Sequence, residues 1–82
     1  MTWKYIASKH TQTFEAGESQ EVWEVREFYE KSGKMPQGWT ERPVKAYGNS
    51  REELIHDLEM MLEDVKRGDY LDLDEEKVKE SE

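Results

Sequence analysis

The segment from Ser50 to Gly68 constrains this chain more than any other. Ser50-Arg51-Glu52-Glu53 spells a capping box, in which the Ser50 hydroxyl accepts from the third helical amide and Glu53 reaches back. Leu54, Leu58, Met61 and Val65 follow on one helical stripe, which Ile55 and Leu62 widen. Glu52, Glu53 and Asp57 lie in the first turns and Lys66 and Arg67 in the last, as the helix dipole favours. Gly68 is placed to end the helix in a left-handed conformation. The spacing therefore predicts a helix over Arg51–Arg67. A single amphipathic helix must lay its stripe on something, and upstream the chain offers strands.

Trp3 to Thr13 is rich in aromatic, β-branched and hydroxyl residues and reads as a strand. Ala16-Gly17-Glu18-Ser19 is the turn after it. Glu21 to Glu30 reads as a second strand. Trp23, Val25 and Tyr29 fall on one of its faces and Val22 and Phe28 on the other, so the pattern leaves open which face meets the core. Lys31 to Gly38 is a loop, and Trp39 to Tyr47 a third strand. Pro43 lacks an amide proton, which puts that strand at an edge or bulges it there. Tyr70, Leu71 and Leu73 can pack back after the helix. From Asp74 onward only Val78 is apolar, and the segment reads as disordered. The expected fold is α+β: a three-stranded antiparallel meander packed on one C-terminal amphipathic helix. Residues 1–73 form a single β-β-β-α domain and residues 74–82 an acidic disordered tail.

The chain has 82 residues, of which 34% are apolar, so the core must be small. Cysteine is absent, which excludes disulfides and thiolate metal sites, and the small size makes dimerisation one expected source of extra stability. The net charge of −8 is segregated. Residues 1–50 hold seven acids and seven bases, whereas residues 51–82 hold 13 acids and five bases. A basic patch for phosphate is missing, which argues against direct nucleic-acid binding. A basic protein surface is a compatible partner, and simple solubility is the plainer reason for the charge. No apolar run is long enough to span a membrane. The N-terminus lacks the apolar stretch of a secretory signal, so a cytoplasmic protein is expected.

Motifs for chemistry are missing. His10 and His56 are the only histidines, and His56 has carboxylates within a turn but no His-Glu-x-x-His spacing. An exposed helical histidine is the plainer reading. The acids after Asp69 lack the order of a calcium loop. No nucleophile elbow, phosphate loop or dinucleotide fingerprint occurs. Neither a catalytic residue, a cofactor nor a metal site is assigned.

Three stretches, Glu27-Phe28-Tyr29-Glu30-Lys31-Ser32-Gly33-Lys34, then Gly38-Trp39-Thr40-Glu41-Arg42-Pro43-Val44, then Gly48-Asn49-Ser50-Arg51-Glu52-Glu53-Leu54 with Asp57 to Leu62, together resemble a group of small, functionally uncharacterised bacterial proteins. Met35-Pro36-Gln37 lengthens the loop relative to the group's pattern. The resemblance implies a β-β-β-α unit and carries no activity. A looser, architectural likeness is to the HicB-type antitoxin domain, and architecture does not fix function.

The aromatic residues carry the functional expectation. One helix covers one face of a thin sheet, so rings on both faces leave an open apolar patch, and such patches mark interfaces. The candidate interaction surface is Trp3, Tyr5, Trp23, Tyr29 and Trp39. The favoured reading is a non-enzymatic protein-interaction module that self-associates through its sheet, as a homodimer. The second is an acidic inhibitor or antitoxin-like protein that occupies a partner's basic, nucleic-acid-binding surface. A small enzyme or metal-binding protein is the third, supported by His56 alone.

Overall fold

The computed structural model describes residues 3–31, 33, 34 and 36–80. The chain folds as β1 (Trp3–Thr13), β2 (Ser19–Tyr29), β3 (Gly38–Trp39), α1 (Arg51–Lys66), β4 (Asp69–Asp72) and β5 (Lys77–Glu80). One five-stranded mixed sheet contains all the strands, in the order β3-β2-β1-β4-β5. The fold is α+β with one helix, and the expected three-stranded meander is corrected to five strands.

β1 and β2 form a long hairpin in register from Trp3 opposite Tyr29 to Thr13 opposite Ser19. Its turn is closed by the Phe14 amide donating to the Glu18 carbonyl (2.8 Å) and the Gly17 amide to the Phe14 carbonyl (2.9 Å). Gly17 has φ of 85°, a conformation that glycine adopts without steric penalty.

The third strand is far shorter than Trp39–Tyr47. Only Gly38 and Trp39 pair regularly, with Tyr29 and Phe28. Beyond them, the Thr40 amide reaches the Glu27 carbonyl (3.1 Å) and the Val44 amide the Val25 carbonyl (2.8 Å). Four residues along this segment match two along β2, and Pro43 within the excess has no proton to give a ladder. Of the expected Lys31–Gly38 loop, Ser32 and Met35 lie outside the described residues.

The helix begins at the expected cap. Ser50 is extended, and its Oγ accepts from the Glu53 amide at 3.1 Å. The other half of the box shifts by one residue, because the Glu53 carboxylate accepts from the Asn49 amide instead. Gly68, with φ of 101°, follows the helix as expected. Gly48 has a packing reason: a Cβ there would lie 2.4 Å from the Leu54 amide nitrogen.

After α1 the chain adds β4 in parallel to β1, with Ala7 opposite Tyr70 and Lys9 opposite Asp72. It then turns back as β5, Lys77 pairing with Asp72 and Glu80 with Asp69. This corrects the acidic tail, which was expected to be disordered from Asp74. Asp74, Glu75 and Glu76 lie in the turn, Lys77–Glu80 complete the sheet, and residues 81 and 82 lie outside the described residues. Asp72 organises the turn by accepting from the amides of Asp74 (3.1 Å) and Glu75 (3.2 Å). Its carboxylate also pairs with Lys79 at 3.2 Å and Lys9 at 3.8 Å. Burial alone would raise the Asp72 carboxyl; Lys79, the Glu75 amide and Lys9 outweigh it and hold the group below the usual carboxylate range.

The two faces of the sheet follow from register. Ile6, Phe28 and Leu71 share one face and form the core, with Trp39, Leu73 and Val78 packed against them. Ile6 and Leu71 are fully buried. On the same face of the β1–β2 pair, Arg26 is buried and donates to the Ser8 hydroxyl, with Glu24 at 3.4 Å. Tyr5 and Ala7 belong to the opposite face, and α1 packs on that one, over β1. The main core therefore lies on the side away from the helix. This overturns the expectation that the face away from the helix stays open: the curled sheet closes upon it.

Candidate interaction surface

Four of the five sequence-predicted residues share one face. Trp3 stands opposite Tyr29 in the hairpin register, Tyr5 opposite Glu27 and Trp23 opposite Lys9, which places Trp3, Tyr5, Trp23 and Tyr29 together on the helix side. Trp39 lies opposite Phe28 and packs into the core on the other side, so it leaves the candidate surface.

These rings are used unequally. Tyr5 is buried, and its hydroxyl donates to the Asp57 carboxylate on α1. Burial first, then Asp57, pushes the Tyr5 phenol well above its ordinary range. The same contact works in reverse on Asp57: the Tyr5 hydroxyl and then the Tyr47 amide (2.8 Å) hold its carboxyl below the usual value. A second carboxylate of the helix, Asp64, accepts from the Tyr5 amide at 3.0 Å. Tyr5 lies below the point where β4 joins β1, opposite Ala7, so a side chain supplies the acceptor there.

Trp3 packs edge-on against Tyr5 with ring centroids 5.2 Å apart, yet remains 45% exposed. Trp23 sits 5.3 Å from the Tyr70 ring, donates to Glu21 at 2.8 Å and is 51% exposed. Tyr29 donates to Glu27 at 2.8 Å, a bond that raises its phenol.

Most of the exposed large apolar side chains are on the helix, where the sequence predicted a buried stripe. Of Leu54, Leu58, Met61 and Val65, only Met61 is buried and Val65 is half-buried. Ile55, Leu58 and Leu62 are 46%, 50% and 55% exposed, and Leu54 and Met60 are also open. The helix docks through Asp57, Met61 and Asp64, which rotates its aliphatic residues away from the sheet. A signal for this was present in the sequence. Ile55 and Leu62 widen the stripe to one side, and with its own Leu58 and Val65 they give a three-four-three spacing, so the stripe is broader than one docking contact can cover.

Between the helix start and β1 lies a groove of about 580 Å³. Trp3, Val44, Tyr47 and Met60 supply its apolar walls, Glu27, Glu52, Glu53 and Asp57 its carboxylates, and Lys45 a single ammonium among them. His56, on the open side of α1, borders this groove. The other histidine, His10, is half-buried with its Nδ1 3.6 Å from the Glu24 carboxylate. Among the described residues, no group of three or more His, Asp or Glu is arranged to hold a metal ion. No helix among them is long and apolar enough to cross a membrane. Comparison with known protein families, curated proteins and solved structures finds no match.

Proposed function

We propose that this protein is a non-enzymatic interaction module that self-associates, and that the contact is made on the helix side of the molecule. One observation carries the reading: five large apolar side chains of a single 16-residue helix stand open to solvent. Four of them, Leu54, Ile55, Leu58 and Leu62, share one side of the helix, and small domains rarely leave a contiguous apolar surface without a partner for it. The sheet-mediated version loses its premise, because the face away from the helix is occupied by the core. The sheet edges are also poorly suited to pairing: β3 has two residues, and β5 has four with Lys77 and Lys79 among them. Sedimentation equilibrium over a range of loading concentrations tests the reading. A rising weight-average mass is expected, and a monomer mass at about 1 mM, a concentration that would reveal even weak association, would refute it.

The reading as an acidic inhibitor of a basic partner keeps a specific observation of its own, the groove in which Glu27, Glu53 and Asp57 stand beside the Trp3 and Tyr47 rings. Carboxylates beside aromatic faces suit a lysine or arginine side chain of a basic partner. A fluorescent oligolysine peptide is the probe. This reading expects binding that weakens with salt and with Glu27→Gln, and an absence of binding at low salt removes it.

A further inference from the structure

We infer that the partner of the open helix face is the same face of a second copy, with the two α1 helices packed antiparallel along Ile55, Leu58, Leu62 and Val65. This deepens the proposed self-association by naming its surface and geometry. The first support is spacing. These four residues recur at three, four and three, the interval that keeps a seam facing a neighbouring helix. At 100° per residue they cover a narrow arc, offset from the Asp57-Met61-Asp64 arc that α1 turns to its own sheet. Val65, half-buried, borders the face already used, whereas Ile55, Leu58 and Leu62 stand clear of it and are about half exposed.

The second support is charge. Along this helix the first turn holds Glu52 and Glu53 beside Arg51, and the last carries Lys66. A parallel pair would set acid beside acid at one end and base beside base at the other. An antiparallel pair places Glu52 of each copy near Lys66 of the other, twice by symmetry, and also opposes the two helix dipoles. In that register Ile55 meets Val65 of the second copy, and Leu58 meets Leu62. The seam is therefore complementary to itself in its apolar residues, and the two Glu52–Lys66 pairs at its ends work against the like charge of Glu59 from the two copies at its centre.

Size sets the strength. A 16-residue helix is about 24 Å long and about 10 Å across, a strip well below the ~800 Å² per partner of a standard interface. The dimer is therefore concentration-dependent, and the monomer is folded without it.

The absence of cysteine makes the geometry directly testable in the full chain. Single-cysteine variants Leu58→Cys and Leu62→Cys, one of them isotopically labelled, are mixed and oxidised mildly. An antiparallel pair joins one variant to the other, and mass spectrometry shows the mixed disulfide in excess over the two self-linked species. A parallel pair gives self-linked species from each variant alone, and that result overturns the inference. Leu58→Glu, at an exposed position, is expected to weaken the dimer at least tenfold while leaving circular dichroism unchanged. A dimer that survives Leu58→Glu overturns the helix seam but leaves self-association standing. A monomeric wild-type chain overturns both.

Discussion

Toward the sheet, α1 presents Asp57, Met61 and Asp64; on another side of the same helix stand Ile55, Leu58 and Leu62. The usual arrangement is the reverse, with aliphatic residues inward and carboxylates in water. Here the helix is fixed by directional bonds to the Tyr5 hydroxyl, the Tyr5 amide and the Tyr47 amide, plus one buried methionine. The sheet does not need the helix for its main core, because Ile6, Phe28 and Leu71 pack on the face α1 does not touch. The contrast separates two sides of one helix. The sheet's core and the helix's polar side hold the monomer together, while the helix's apolar side stands exposed to solvent.

The largest expected effect sets the core against the open helix face. Leu71→Ala removes a fully buried side chain and leaves a cavity, which should cost about 2–5 kcal/mol in urea unfolding. Leu58→Ala removes a side chain of the same chemistry from a half-exposed position. In dilute, monomeric protein it should change stability by less than about 0.5 kcal/mol, because helical alanine is favourable and little burial is lost. Equal costs for the two variants would break the comparison, since Leu58 would then be supporting the monomer.

A smaller effect probes the polar side of the helix. Tyr5→Phe deletes the hydroxyl that Asp57 accepts and should cost about 1 kcal/mol at neutral pH. Asp57 has a folded pKa below its unfolded value, so its contribution is complete above the ordinary carboxylate range and is lost as pH falls through the folded value. Tyr5 has a folded pKa above its unfolded value. Its contribution is complete below the ordinary phenol range and is lost as pH rises further. The difference between wild type and Tyr5→Phe should thus be flat between about pH 5 and pH 9 and shrink at both ends. Chemical denaturation across that range measures it. A difference independent of pH down to about pH 2 would mean that Asp57 does not anchor the helix.

Much of the backbone was legible in the residues. The β1–β2 hairpin, the Ser50 cap and the Gly68 stop each rest on a local rule satisfied by neighbouring residues. What escaped depended on distant partners. The segment after Asp74 is too acidic on average to suggest a strand, but β5 places Lys77 and Lys79 where they meet Asp72 and Glu75, and sets Val78 on the core. Composition averages along the chain, whereas a hairpin cancels charge across it. Likewise, periodicity marked the apolar stripe of α1, but it cannot state which side of a helix a sheet will accept when the sheet curls upon itself. Of the candidate surface, the four rings on the helix side follow from strand parity. Trp39 was lost because Pro43 leaves β3 too short for parity to be read along it.

The smallest effect on the monomer is the one that sharpens the contrast furthest. Leu58→Gln with Leu62→Gln replaces two exposed aliphatic side chains by polar ones of good helix propensity. If the apolar side of α1 serves only contact between molecules, this double variant should unfold within about 0.5 kcal/mol of the dilute wild-type chain. Its solubility at high concentration should rise, because the apolar surface available for contact between chains has been reduced. A matching fall in the binding of an environment-sensitive hydrophobic dye would place the dye on the helix. A double variant that unfolds far more easily would show that these leucines are covered in the monomer in solution, and the separation between the two sides of α1 would then disappear.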